Sequence, residues 1–172
     1  MSDIVTIAIH TGLKKWLPLL ENSLKSFLIC NTYPNVELMI IESGQNQDVR
    51  DWLKNLDFYS YVNFDGSKTT IKPHQSVKIQ KTLLFPNFED PQSGIFSKKS
   101  APYIQSLELA FQKAQGKYFT YMAEDHQFIP VGDVISNYIK ILETLGADRH
   151  IIPFLTTQRY KLAKKNNAFQ GP

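Results

Sequence analysis

Residues 116–126, GKYFTYMAEDH, decide the reading of this chain. Tyr118, Phe119, Thr120, Tyr121 and Met122 are β-formers with no charge among them. Such a run suits a strand buried on both faces of a sheet. Gly116 comes just before it, where a preceding helix would stop, because glycine tolerates the left-handed conformation that closes helices. Glu124, Asp125 and His126 then arrive together, with Phe128 and Pro130 behind them. Carboxylates and an imidazole just past the carboxyl end of a buried strand stand where open α/β sheets bind ligands. The plainer alternative is a polar turn that solubilises a strand end.

Working back from this segment, Ser100 is placed to cap a helix with Pro102 in its first turn. Ile104, Leu107, Ala110, Phe111 and Ala114 would form its buried face. At the amino end, residues 4–9 (IVTIAI) read as a buried strand followed by His10, Thr11 and Gly12. Leu13, Trp16, Leu17, Leu20, Leu24, Phe27 and Leu28 recur at three- and four-residue spacing, the pattern of one apolar helix face. Residues 36–41 (VELMII) read as a second strand ending in Glu42, Ser43 and Gly44. Val49, Trp52, Leu53 and Leu56 mark a short second helix, and residues 59–64 (YSYVNF) a third strand. The alternation predicts right-handed crossovers and a parallel sheet.

Residues 65–100 break the rhythm, with Gly66, Pro73, Pro86, Pro91 and Gly94 and only a hint of strand at 77–79. A stretch of that length without periodicity reads as a functional loop or an unresolved β-ribbon. Past the acidic turn, Val131, Val134, Ile135, Tyr138, Ile139, Leu142 and Leu145 predict a further helix stopped at Gly146. Residues 151–155 (IIPFL) suit an edge strand because of Pro153. Residues 156–172, with Lys161, Lys164 and Lys165, read as a basic tail.

The 172 residues predict one domain spanning 1–172, with ordinary hydrophobic (42%) and charged (20%) content. A net charge of +3 gives little support for nucleic acid as a partner. The single Cys30 excludes an internal disulfide and a cysteine-based zinc site. No apolar run reaches the roughly 20 residues of a membrane helix. With no signal-like start, a cytoplasmic location is expected, the basic tail offering peripheral contact with the inner face of the membrane.

In a doubly wound sheet the first strand neighbours the strand that follows the return crossover, and ligands enter between their carboxyl ends. Thr11 and Asp125 are then expected to face one another across a cleft, with Glu42 one strand further along. Oxygen and imidazole donors without thiolate suit Mg²⁺ or Mn²⁺. The chain has neither a P-loop nor a G-x-G-x-x-G fingerprint, so a phosphate would be neutralised by metal rather than cradled by a glycine loop. It has no G-x-S-x-G nucleophile elbow either.

Three segments, in order, resemble family 2 glycosyltransferases. VTIAIHTG (5–12) is similar to the family's first strand, and TYPNVELMIIESG (32–44) to its second-strand segment. LELAFQKAQGKYFTYMAEDH (107–126) resembles its helix, apolar strand and Asp-x-Asp motif. The resemblance implies a GT-A fold, a Rossmann-like three-layer α/β/α arrangement with a mostly parallel central sheet. It implies a nucleotide-sugar donor and sugar transfer, with inversion, to an acceptor hydroxyl on a saccharide or a lipid-linked molecule. His10, Thr11, Gly12, Glu42, Ser43, Glu124 and Asp125 would bind substrate, Thr11 and Glu42 on the nucleoside side. Asp125, assisted by His126, would hold a divalent cation, Mn or Mg, that stabilises the departing diphosphate.

The chain departs from the family in places. Ser43 replaces the second aspartate after strand two, and Ala123 the first aspartate of the metal motif. Leu107 and Glu108 stand where the family has an Arg-Asn pair. An inverting transferase needs a base to take the acceptor's proton, and no Asp or Glu follows Asp148. Three readings remain open: a glycosyltransferase, a catalytically inactive nucleotide- or sugar-binding module on the same scaffold, and a nucleotidyltransferase.

Overall fold

The computed structural model describes residues 3–12, 14–71, 73–74, 76–88, 101–128 and 133–146. Four strands and four α-helices occur among them: β1 (Val5–Thr11), α1 (Leu17–Cys30), β2 (Asn35–Glu42), α2 (Gln47–Asn55), β3 (Lys78–Leu84), α3 (Ala101–Lys113), β4 (Tyr118–Ala123) and α4 (Val134–Leu145). The sheet is all parallel in the order β3-β2-β1-β4. The chain starts in the middle, builds outward through β2 and β3, and returns to the far side of β1. Right-handed crossovers then put α1 and α2 on one face and α3 on the other. The expected α/β class with a parallel, Rossmann-like sheet is what the chain adopts.

The central strands β1 and β2 are almost wholly buried, as their continuous apolar runs require. On one face Ala8, Met39 and Ile41 close against Ala110 of α3, with Leu84, Phe119 and Tyr121 packed beside them. On the other face Ile7, Ile9, Leu38 and Ile40 are buried, and α1 contributes Leu17, Leu20, Leu24, Phe27 and Leu28. α2 starts on an Asn46 cap, whose side chain accepts from the Val49 amide at 3.1 Å.

Four expectations are corrected. Residues 59–64 are not a strand: Val62 makes one isolated antiparallel bridge to Lys68. The third strand is Lys78–Leu84, inside the stretch that reads as a loop or β-ribbon, where residues 77–79 give only a hint of it. Its sequence KIQKTLL hides it, because an edge strand half open to solvent tolerates lysine, glutamine and threonine. β4 is half-exposed along its length and is an edge strand among the described residues, not a strand buried on both faces. Gly116 is not left-handed. A Cβ there would lie 2.5 Å from the Thr6 amide nitrogen, so glycine is required by close approach of the α3–β4 turn to β1. Gly146, by contrast, does close α4 with φ +95°.

The chain divides into two compact units, Met1–Ser136 and Asn137–Pro172. The first contains the whole sheet; the second is described through the rest of α4. Ser100, the strand expected at 151–155 and the tail at 156–172 lie outside the described residues. No helix among the described residues is long and apolar enough to cross a membrane.

Candidate functional site

Parallel strands bring all their carboxyl ends to one rim. The register pairs Thr11 with Glu42 and His10 with Ala123, so the segments leaving β1, β2 and β4 emerge side by side. The first two are locked together. The Ser43 amide donates to the Thr11 carbonyl at 3.0 Å. A Cβ on Gly44 would fall 1.7 Å from the Gly12 carbonyl oxygen, so only glycine fits. Gln45 takes the left-handed conformation (φ 56°) to turn the chain into α2. Both glycines of the two strand-end loops therefore belong to one backbone junction.

His10 lies under this junction on the α3 face. Its Nε2 is 2.8 Å from the Ser43 hydroxyl. Its ring stacks on Tyr121 (centroids 6.3 Å apart) and meets Tyr103 of α3 edge-on (5.5 Å). Burial lowers its pKa to about 4, so the imidazole is neutral near pH 7. A neutral imidazole beside a hydroxyl offers one donor and one acceptor to a polar ligand.

Glu42 is turned away from that pair. Its carboxylate receives Arg50 Nε at 2.5 Å and the Asn46 amide at 3.2 Å, and it is almost wholly buried. Arg50 continues to the Pro86 carbonyl and to Asn87 Oδ1, both by Nη2, at 3.2 and 3.3 Å. The ion pair thus ties the end of β2 to the segment after β3. Arg50 went unnoticed in the sequence because its partners lie 8, 36 and 37 residues away.

The acidic turn closes the other side. Glu124 is buried, and burial first, then the charge of Asp125, raises its pKa. The side chain of Asp125 is half-exposed, with Oδ1 3.1 Å from His126 Nδ1. The same nitrogen lies 3.1 Å from the Ala123 carbonyl, which also accepts the His126 amide. Asp125 and His126 are therefore paired with each other, with Nδ1 facing two acceptor oxygens, so a cation would have to be met by the remaining carboxylate oxygens or by Nε2. No group of three or more His, Cys, Asp or Glu side chains that could hold a metal occurs among the described residues. A cation here would complete its shell with ligand oxygens and water, as Mg²⁺ commonly does. Tyr103 was also missed by sequence reading. It sits in an amphipathic helix, and only the packing places its ring at the rim.

The sequence-derived residues thus fall into three clusters: Thr11, Gly12 and Ser43 with His10; Glu42 with Arg50; and Glu124, Asp125 and His126. β1 separates the second from the third.

No protein-family model matches the chain, and no curated protein matches it. Among solved structures, the crystal structure of S. aureus TarS 1–349 is similar over 87% of this chain and 38% of that chain. The sequence identity is 11% and the TM-score 0.48. This chain accordingly spans well under half of that one, and a likeness of this degree carries no conclusion about activity.

Proposed function

We propose that the rim binds a nucleotide-sugar and that the protein is a glycosyltransferase passing the sugar to an acceptor hydroxyl, with inversion. What supports the reading is the topological switch between β1 and β4, with polar residues at both strand ends. His10, Thr11, Gly12 and Ser43 line the nucleoside side. Glu42, held by Arg50, fixes the outer wall. Asp125 and His126 hold Mn²⁺ or Mg²⁺, and Glu124 deepens the negative field around them. When bound, the cation would neutralise charge on the departing diphosphate. The acceptor is a saccharide or a lipid-linked molecule, and the cell compartment is the cytoplasm.

Thermal-shift measurements with UDP-, GDP- and dTDP-linked sugars, with and without Mn²⁺, test the site. A cation-dependent rise in melting temperature is expected with one of them and should disappear in Asp125→Ala. Absence of any cation-dependent shift in the wild type would sink the proposal. A second reading, binding without turnover, draws on Ala123, which puts a methyl group where the family motif has its first carboxylate. Tight binding with neither donor hydrolysis nor transfer would decide in its favour.

A further inference from the structure

We infer that Tyr103 of α3 is a further ligand-binding residue, its phenol hydroxyl donating a hydrogen bond to the diphosphate of a bound nucleotide. The inference rests on the nucleotide-binding reading of the rim. α3 crosses the face of the sheet opposite α1 and α2, and Tyr103 lies in its first turn. Three aromatic side chains from three different elements meet there. The Tyr103 ring is edge-on to His10 at 5.5 Å and edge-on to Tyr121 at 5.1 Å. The Tyr121 hydroxyl donates to the Tyr103 carbonyl at 3.2 Å, which ties the helix turn to β4. The ring is therefore placed by packing on two sides, while the residue as a whole stays 39% exposed.

The hydroxyl lies in the field of the acidic turn. Burial first, then the charges of Asp125 and Glu124, holds the phenol above its ordinary pKa. It remains a proton donor throughout the physiological range. The ring thus touches His10, on the nucleoside side, and also Tyr121 of β4, the strand that runs into the acidic turn where the diphosphate and its cation would rest. A neutral donor at that position can bind phosphate oxygen without competing for the cation. Its ring does not depend on the hydroxyl for its packing, so the two roles separate cleanly by substitution.

The test is Tyr103→Phe, which keeps the ring and removes one oxygen. Dissociation constants of UDP, GDP and dTDP, each with Mn²⁺, are measured by calorimetry for wild type and variant, with melting temperatures of the free proteins alongside. A hydrogen bond to a charged group predicts roughly ten-fold weaker binding of the preferred diphosphate by the variant. The melting temperature of the free protein should be unchanged. Equal affinity in wild type and variant overturns the role of Tyr103 and leaves the nucleotide reading standing. Failure of the wild type to bind any of the three overturns both.

Discussion

His10 shows how one residue's surroundings set a measurable property. Its imidazole is buried beneath a backbone junction and between two tyrosines, and no carboxylate is bonded to it among the hydrogen bonds of the site. Desolvation therefore decides its charge, and the folded pKa falls from 6.5 to about 4. Between those values the unfolded chain binds a proton that the folded one does not. The contribution of His10 to stability is thus full above about pH 6.5 and is lost as the pH falls toward 4. The loss should amount to about 3 kcal/mol. Urea denaturation across pH 4 to 7 measures it, and His10→Asn should flatten the curve in that window. Equal slopes in the two proteins would show that the ring is not desolvated. Glu124, raised by burial, acts in the opposite sense: its stabilisation is full below the unfolded pKa and is lost as the pH rises through the folded one. At this scale the sequence named His10 and Ser43 as neighbours of the cleft. It gave no sign that they bond to each other across 33 positions.

At the scale of elements, β3 is the instructive case. Lys81 looks misplaced in a strand beside β2, yet its ammonium group donates to the carbonyls of Leu53, Lys54 and Leu56 at 3.1, 3.0 and 2.6 Å. They lie at the carboxyl end of α2, where the Leu53 carbonyl also accepts the Leu56 amide, and a positive charge there meets the negative end of the helix dipole. Lys81→Met should cost about 1 kcal/mol in urea denaturation and speed amide exchange in the last turn of α2. Unchanged exchange there would show that the lysine merely lies alongside. β1, α1, β2 and α2 were legible because burial on both strand faces, or on one helix face, leaves a periodic apolar signature. β3 was not, since its polar residues are satisfied by groups that no local pattern reveals. Residues 59–64 misled for the converse reason. Their aromatic residues have β-propensity, but Tyr61 packs with Trp52 of α2 instead of entering the sheet.

For the molecule as a whole, a buried carboxylate on β2 coordinates several elements at the end of the sheet opposite the rim. Glu37 accepts from the hydroxyls of Thr6 on β1 and Thr82 on β3 at 2.6 and 2.8 Å, and from the Gln115 amide at 2.8 Å. Thr6 in turn accepts the Gly116 amide at 2.9 Å. Three strands and the α3–β4 turn thereby share one network, and the turn sets where β4 begins. Glu37→Ala would strand these donors in the interior and should destabilise the fold by about 3 kcal/mol in urea denaturation. A loss below about 1 kcal/mol would show that water reaches the network.

The sequence by itself determined the alternation of strands and helices around β1 and the parallel sheet. It also placed a polar group after each of β1, β2 and β4, because these features follow from local periodicity and from where apolar runs end. Only the tertiary structure decided that Glu42 is committed to Arg50 and that His10 is neutral. It alone placed Tyr103 on the rim and made Gly44 and Gly116 contact points between backbones. Each of these depends on which groups lie within a few ångströms across the sheet, and that is fixed by strand order and register rather than by neighbours along the chain.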